Sequence, residues 1–104
     1  VEQQAKIVAV NIGATEDEFV QIQGKNWLID DWTITNGKGE VFIKFIQTFS
    51  TSNHLNGKWT IYTRCDLSTT ILRYVCKDKE FFSNTGDKAV LKDESGNVIS
   101  EMTG

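Results

Sequence analysis

Proline is absent from this chain of 104 residues, which also has one histidine, two cysteines and no long run of apolar side chains. The longest such run, Ile7 to Val10, falls far short of the roughly 20 apolar residues of a membrane-spanning helix, so no membrane span is predicted. His54 and the two cysteines are too few to complete a tetrahedral structural zinc site. No glycine-rich loop opens a helix that could cradle phosphate. We therefore expect neither a metal nor another cofactor.

Basic residues are outnumbered in this chain. It has 14 Asp and Glu against 11 Lys and Arg, a net charge of −3, and no two basic residues are adjacent. Binding to the phosphate backbone of nucleic acid requires a basic face. The charge balance therefore argues against a nucleic-acid partner.

Residue types that favour helices are also scarce. Ala, Leu and Met number 10, whereas Val, Ile and Thr number 29, and β-branched side chains suit a pleated sheet better than a helix. No window of about 11 residues keeps the apolar spacing of a helix. A chain of this length forms a single domain, here residues 1–104. We predict an all-β fold of two packed antiparallel sheets with about eight or nine short strands, and an open barrel is the alternative.

Turn-forming residues divide the chain into short strand candidates. Asn36–Gly39 is the clearest hairpin turn, because Asn and Gly tolerate the positive φ of a tight turn. Gly24–Asn26 breaks a strand pattern, Gln47–Gly57 is a polar loop and Glu94–Asn97 joins the last hairpin. The predicted strands are Ala5–Ile12, Glu18–Gln23, Asp31–Thr35, Glu40–Ile46, Lys58–Arg64, Ile71–Cys76, Phe81–Phe82, Ala89–Asp93 and Val98–Thr103.

The three tryptophans divide into two groups. Trp32 and Trp59 lie on segments in which polar and apolar residues alternate, so both are predicted to fill the core. The same alternation puts Ile34 on the face of Trp32. Trp27 falls in a predicted turn, where it either attaches a loop to the core or stands exposed as a binding residue.

Residues for catalysis are few. His54 lies in the polar loop, and the sequence brings no Ser or Cys to it, so a hydrolytic triad is not predicted. The acidic pair Asp30–Asp31 lacks the spacing of a calcium-binding loop and is interpreted as part of a turn. We expect a protein without enzymatic activity.

Cys65 and Cys76 lie near the ends of two adjacent predicted strands. If those strands pair antiparallel about Thr70 and Ile71, the two cysteines face each other within disulfide distance. Disulfides persist in exported proteins, whereas thiols stay reduced in the nucleus and cytosol. Two states are therefore open: a bridge in an exported protein, or two small core thiols in a nuclear or cytosolic one.

The order of several short motifs resembles the lamin tail domain family, in particular its bacterial and archaeal branch. The most specific of these motifs runs from Phe82 to Leu91, with an aromatic residue, Asn, Gly-Asp and an apolar strand in succession. The resemblance covers residues 5–102, with Phe82 where the family commonly has Trp and Ser50 where it often has Pro. The segments that match in order are Glu18–Ile22, Asp31–Ile34, Gly37–Phe45, Leu55–Gly57, Trp59–Thr63 and Phe82–Ile99.

This resemblance implies an immunoglobulin-like β-sandwich that serves as a non-catalytic interaction module. In bacteria and archaea such domains are appended to exported hydrolases or surface proteins, which implies an extracellular or cell-surface location. In lamins they follow a coiled-coil rod, so a nuclear location is the alternative. The chain begins with Val1 rather than Met, and we expect a domain excised from a larger protein.

The expected function is attachment to another protein or to a cell-surface polymer. Alternatives are the tail of a nuclear intermediate-filament protein with chromatin or envelope partners, and a carbohydrate-binding module with an exposed coplanar pair of aromatic rings. Tyr, Trp and Arg dominate the anchors of protein interfaces. The candidate binding residues of these types are Trp27, Tyr62, Arg64, Arg73 and Tyr74.

Overall fold

The computed structural model describes residues 5–11, 18–46, 54–63, 72–75 and 87–104, which form two four-stranded sheets. These parts of the chain contain no helix, and hence none long and apolar enough to cross a membrane. The strands are β1 (Ala5–Asn11), β2 (Phe19–Leu28), β3 (Thr33–Thr35), β4 (Val41–Lys44), β5 (His54–Tyr62), β6 (Leu72–Tyr74), β7 (Lys88–Lys92) and β8 (Val98–Thr103).

The first sheet has the strand order β1-β2-β5-β6 and the second β4-β3-β7-β8. Every pair is antiparallel except β5 and β6, which run parallel. The all-β class with two sheets is as predicted. On one edge the sheets also meet, since the Ile7 N–H of β1 donates a hydrogen bond to Ser100 Oγ of β8 at 3.1 Å.

The parallel pairing of β5 and β6 corrects one prediction. The facing of Cys65 and Cys76 assumed an antiparallel hairpin, which is wrong for the three described pairs, the last of them Tyr62 with Tyr74. A parallel connection reverses the chain twice, so a local hairpin pattern cannot describe it. Both cysteines lie outside the described residues, and the two predicted states, a bridge or two core thiols, both stay predictions.

The core lies between the two sheets, because alternation along the strands sends apolar side chains to one face. Ile22 of β2 stands directly opposite Trp59 of β5, and both are buried. The second sheet contributes Ile34 and Leu91, which are also paired and fully buried. Trp32 is 5% exposed and Trp59 2%, so the prediction that these two indoles fill the core is confirmed.

The predicted break at Gly24–Asn26 is wrong, since β2 continues through it to Leu28. The register with β5 shifts between Gly24 and Trp27, so that two residues of β2 oppose one of β5. This is a β-bulge, and Asn26 within it has a φ of 53°. Asn is common in bulges as well as in turns, because it tolerates the left-handed backbone that some positions of both require. Trp27 therefore lies on a strand rather than in a turn.

The polar loop is shorter than predicted, because β5 begins at His54 instead of Lys58. Two of the four added residues pair with the end of β2 beyond the bulge, with Leu55 opposite Trp27 and His54 opposite Leu28, while Gly57 pairs with Gly24 before the bulge. The hairpin turn at 36–39 and the last strand, Val98–Thr103, are confirmed. The predicted strand Phe81–Phe82 lies outside the described residues.

Candidate functional site

The chain crosses from the first sheet to the second after β2, and an open pocket of about 330 Å³ lies beside this crossing. Its volume is at the lower end of the range for ligand sites, roughly 300 to 1,000 Å³. We call it the tryptophan pocket. Its lining residues are Trp27, Leu28, Asp30, Trp32 and Glu94.

The bulge in β2 positions Trp27. Directly opposed residues of two strands share a face, and Trp27 pairs with Leu55, which is fully buried. Trp27 is accordingly half-buried and packs against the core, while Leu28 on the other face is 50% exposed. The Trp27 Nε1 atom is buried and has no acceptor among the described residues. A buried donor without an acceptor costs about 1 to 3 kcal/mol.

A tight turn positions Trp32. The Trp32 N–H donates to the carbonyl of Ile29 at 3.0 Å, and Asp31 between them has a φ of 66°. Phe45 fastens the turn to the second sheet, because its carbonyl accepts from the Asp31 N–H at 2.6 Å and its own N–H donates to the Trp32 carbonyl at 2.9 Å.

Backbone strain is concentrated around this pocket. Asn26 and Asp31 are the two non-glycine residues with positive φ in the described chain, and each directly precedes a tryptophan of the pocket. Asn and Asp tolerate this region better than other side chains, but such conformations still persist only where the surroundings hold them. They also cluster at functional sites, which makes this pocket the leading candidate.

Glu94 joins the pocket from the turn between β7 and β8. Its Oε2 accepts a hydrogen bond from Trp32 Nε1 at 2.8 Å, across 62 positions of sequence. Hydrogen bonds to an ionised acceptor are about twice as strong as neutral ones. Because Trp32 is buried, this bond holds the exposed Glu94 side chain over the pocket.

The turn that carries Glu94 is organised by its neighbour Asp93. Asp93 Oδ1 accepts from the backbone N–H groups of Ser95 and Asn97, both at 2.9 Å. Its other oxygen accepts from the Asn97 side chain at 3.3 Å, and Gly96 supplies the positive φ of the turn. These bonds, led by that from the Asn97 N–H, hold the pKa of Asp93 below its usual 3.8.

A second pocket, of about 300 Å³, lies beside the 36–39 turn on the second sheet. Val90 and Thr35 are the buried residues of its lining that belong to strands, and Thr35 Oγ1 has no partner in the described chain. We call it the lysine pocket, since three of its four charged lining residues are lysines. These four residues are Lys38, Lys88, Lys92 and Glu101.

The predicted binding residues do not form one cluster. The Tyr62 and Tyr74 rings stack on each other, with centroids 5.2 Å apart and an interplanar angle of 13°. Phe19 meets Tyr62 edge-on at 5.8 Å. Phe19 begins β2 and Trp27 lies near its end, so the tyrosines and Trp27 are roughly 25 Å apart along the strand. Arg73 lies on β6 opposite Ile61, and Arg64 lies outside the described residues.

His54 lies exposed at the start of β5. Nowhere in the described ranges do three His, Cys, Asp or Glu side chains come together in a group that could hold a metal ion.

Sequence reasoning singled out Trp27 but missed the other contributors to the pocket. Trp32 was assigned to the core alone, and Asp30 and Glu94 to turns. Leu28 carried no signal because its exposure depends on the bulge before it. The bond between Trp32 and Glu94 joins distant segments, and no local pattern encodes it.

No family model and no curated protein matches this sequence. The resemblance to the lamin tail domain therefore stays a prediction.

Proposed function

We propose that this domain is a non-catalytic interaction module, an immunoglobulin-like β-sandwich of the lamin tail type, that tethers a larger extracellular protein to another protein or to a cell-surface polymer. The tryptophan pocket is its contact site. The observation that carries this proposal is that Trp27 and the exposed Leu28 line one pocket, beside two residues with positive φ. Aromatic anchors in such pockets dominate binding at interfaces.

The burial of residues from the matching motifs supports the proposed fold. Val20, Ile22 and Ile34, which belong to the matching motifs, are fully buried in the core between the sheets. An interaction module of this kind needs a stable scaffold and a surface site, with no reacting group. Trp27 and Glu94 are supplied by opposite sheets, so the site exists only when the two sheets are packed together.

A carbohydrate-binding module is the second candidate. It is favoured by the half-buried indole of Trp27 and the two carboxylates of the pocket, since sugar rings stack on indoles and sugar hydroxyls donate to carboxylates. The two stacked tyrosines give less support to a carbohydrate-binding module. Tyr62 and Tyr74 are nearly parallel, but they cover each other instead of lying side by side as a platform.

The test uses the three indole N–H resonances of the ¹⁵N-labelled domain. The probes are cellohexaose, chitohexaose and three capped hexapeptides that differ only in carrying Arg, Gln or Glu at the centre. We expect at least one probe to shift the Trp27 and Trp32 resonances at millimolar concentration. The Trp59 resonance is the internal control, because Trp59 is buried in the core and does not line the pocket.

A Trp27→Ala variant completes this test. Trp27 is half-buried, so the variant is expected to fold and to lose the response of the Trp32 resonance. The proposal is wrong if no probe shifts either pocket indole, or if the Trp27→Ala domain binds a probe as well as the parent does.

A further inference from the structure

The charge of the tryptophan pocket indicates what kind of group it takes. Both of its ionisable lining residues, Asp30 and Glu94, are acidic, and none of the described residues that line it is Lys or Arg. A cation beside an indole is attracted by the ring, and carboxylates at the same site add to that attraction. The pocket therefore combines two features that favour a positively charged group.

Glu94 supplies the best-defined negative charge. Its Oε2 is held by Trp32 Nε1, which fixes the carboxylate over the pocket without neutralising it, because an indole N–H carries no net charge. In the described chain Glu94 has no cationic partner. The contrast is Glu101 of the lysine pocket, whose Oε2 lies 3.4 Å from Lys88 Nζ.

The apolar surface of the pocket suits a long side chain. Lys and Arg lay their aliphatic stems along apolar groups while their charged ends remain near water or acidic groups. Leu28, which is 50% exposed, and the half-buried Trp27 offer such a surface beside the two carboxylates. About 330 Å³ of open space accommodates one such side chain.

A side chain carried by a protein fits this surface better than a small cation does. The aliphatic stem of Lys or Arg lies along Leu28 and the Trp27 ring, whereas a simple ammonium ion has no stem to bury there. The Trp27 Nε1 atom is itself buried and takes no part in this contact.

We infer that the tryptophan pocket binds a Lys or Arg side chain presented by a partner protein, with Glu94 and Asp30 opposite its charge and Trp27 and Leu28 along its stem. This inference rests on the proposed function and names the chemistry of the partner at the same site.

The test compares the capped hexapeptide with a central Arg against its Gln counterpart, by titration of the Trp27 and Trp32 indole resonances. We expect the Arg peptide to bind at least about tenfold more tightly, and sodium chloride to weaken its binding. Glu94→Gln should weaken it by about tenfold, because the amide keeps an acceptor for Trp32 Nε1 but removes the charge. Glu101→Gln, in the lysine pocket, is the matched control and should leave the affinity unchanged.

Each result decides a different question. Equal binding of the Arg and Gln peptides, or of the parent and Glu94→Gln domains, would overturn the inference about charge. Binding of an oligosaccharide without binding of the Arg peptide would also overturn it, while leaving an interaction module that recognises carbohydrate. A failure of every probe to shift the pocket indoles would contradict the proposed function itself. An unchanged Trp59 resonance in unliganded Glu94→Gln would show that the variant keeps the packed core.

Discussion

The tryptophan pocket and the lysine pocket are similar in volume but differ in charge and in how their polar groups are used. Beside the lysine pocket, the backbone donors of the turn already have acceptors within the protein. Asn36 Oδ1 accepts from the N–H groups of Lys38 and Glu40, both at 3.0 Å, and Asp87 Oδ1 accepts from Gly37 at 2.7 Å. In the tryptophan pocket an indole N–H lacks an acceptor and a carboxylate lacks a cation within the described chain.

Each pocket has one buried polar atom without a partner in the described chain, Trp27 Nε1 in the first and Thr35 Oγ1 in the second. The two pockets differ in their glutamates, because Glu101 lies 3.4 Å from Lys88 Nζ whereas Glu94 has no cation within the described chain. Polar groups that already bond within the fold gain little from a ligand, because each new bond replaces an old one. Glu94 is exposed and held in place without a cation in the described chain, so a cationic partner adds an interaction there without replacing one. Lysine side chains around the second pocket add charge, but its backbone donors have no unused capacity at Gly37, Lys38 or Glu40.

The largest expected effect is on stability, at Trp32. Trp32→Ala removes a core indole that is 5% exposed and should destabilise the fold by about 3 to 5 kcal/mol in urea unfolding followed by circular dichroism. Trp32→Phe is the control, since it keeps most of the packing and removes only the donor to Glu94. A loss of less than about 1 kcal/mol in Trp32→Ala would mean that the tryptophan pocket is not joined to the core.

The second largest loss of stability is expected at Asn36, in the turn beside the lysine pocket. Asn36 is 2% exposed, and Asn36→Ala leaves the N–H groups of Lys38 and Glu40 without their acceptor. We expect a loss of about 2 kcal/mol in the same unfolding measurement. Glu40→Ala, which removes only the 2.9 Å bond from Asn36 Nδ2, should cost about 0.5 kcal/mol. Equal losses in the two variants would show that the turn does not depend on the Asn36 oxygen.

Sequence reasoning was most successful where a local pattern decides the structure. Alternation around Trp32 and Trp59 gave their burial, and Asn36 followed by Gly37 gave the hairpin turn. Local patterns do not predict the pairing of strands that are distant in the sequence. The bulge before Trp27 depends on β5, which begins at His54 and pairs with β2 on both sides of the bulge.

Contacts between distant segments also limited what could be predicted of the tryptophan pocket. Trp27 stood out because it fell in a predicted turn rather than on an alternating strand, and it does line the pocket. Glu94 looked like any acidic turn residue, because its role depends on a donor 62 positions away. The parallel direction of β6 likewise depends on how it pairs with β5 rather than on the residues of the strand alone.

A smaller effect concerns the turn that holds Glu94, and it depends on pH. The pKa of Asp93 is lower in the folded protein than its usual 3.8, so its contribution to stability is complete above about that pH and disappears as the pH falls through the folded value. Urea midpoints measured against pH should therefore fall less steeply in Asp93→Asn below pH 3.8 than in the parent. Ser95→Ala is the control, because Ser95 donates through its backbone N–H and the variant keeps that bond. Parallel curves for Asp93→Asn and the parent would contradict this role.

The smallest effect is expected at the ion pair of the lysine pocket. Lys88 and Glu101 are 3.4 Å apart with side chains 43% and 50% exposed, so water and salt screen their attraction. A double-mutant cycle with Lys88→Met and Glu101→Gln should give a coupling of about 0.5 kcal/mol or less in urea unfolding. The matched cycle with Trp32→Phe and Glu94→Ala should give a larger coupling, because each variant removes the bond and one partner of that bond is buried. If the exposed pair coupled more strongly, the difference between the two glutamates could not come from the burial of their partners.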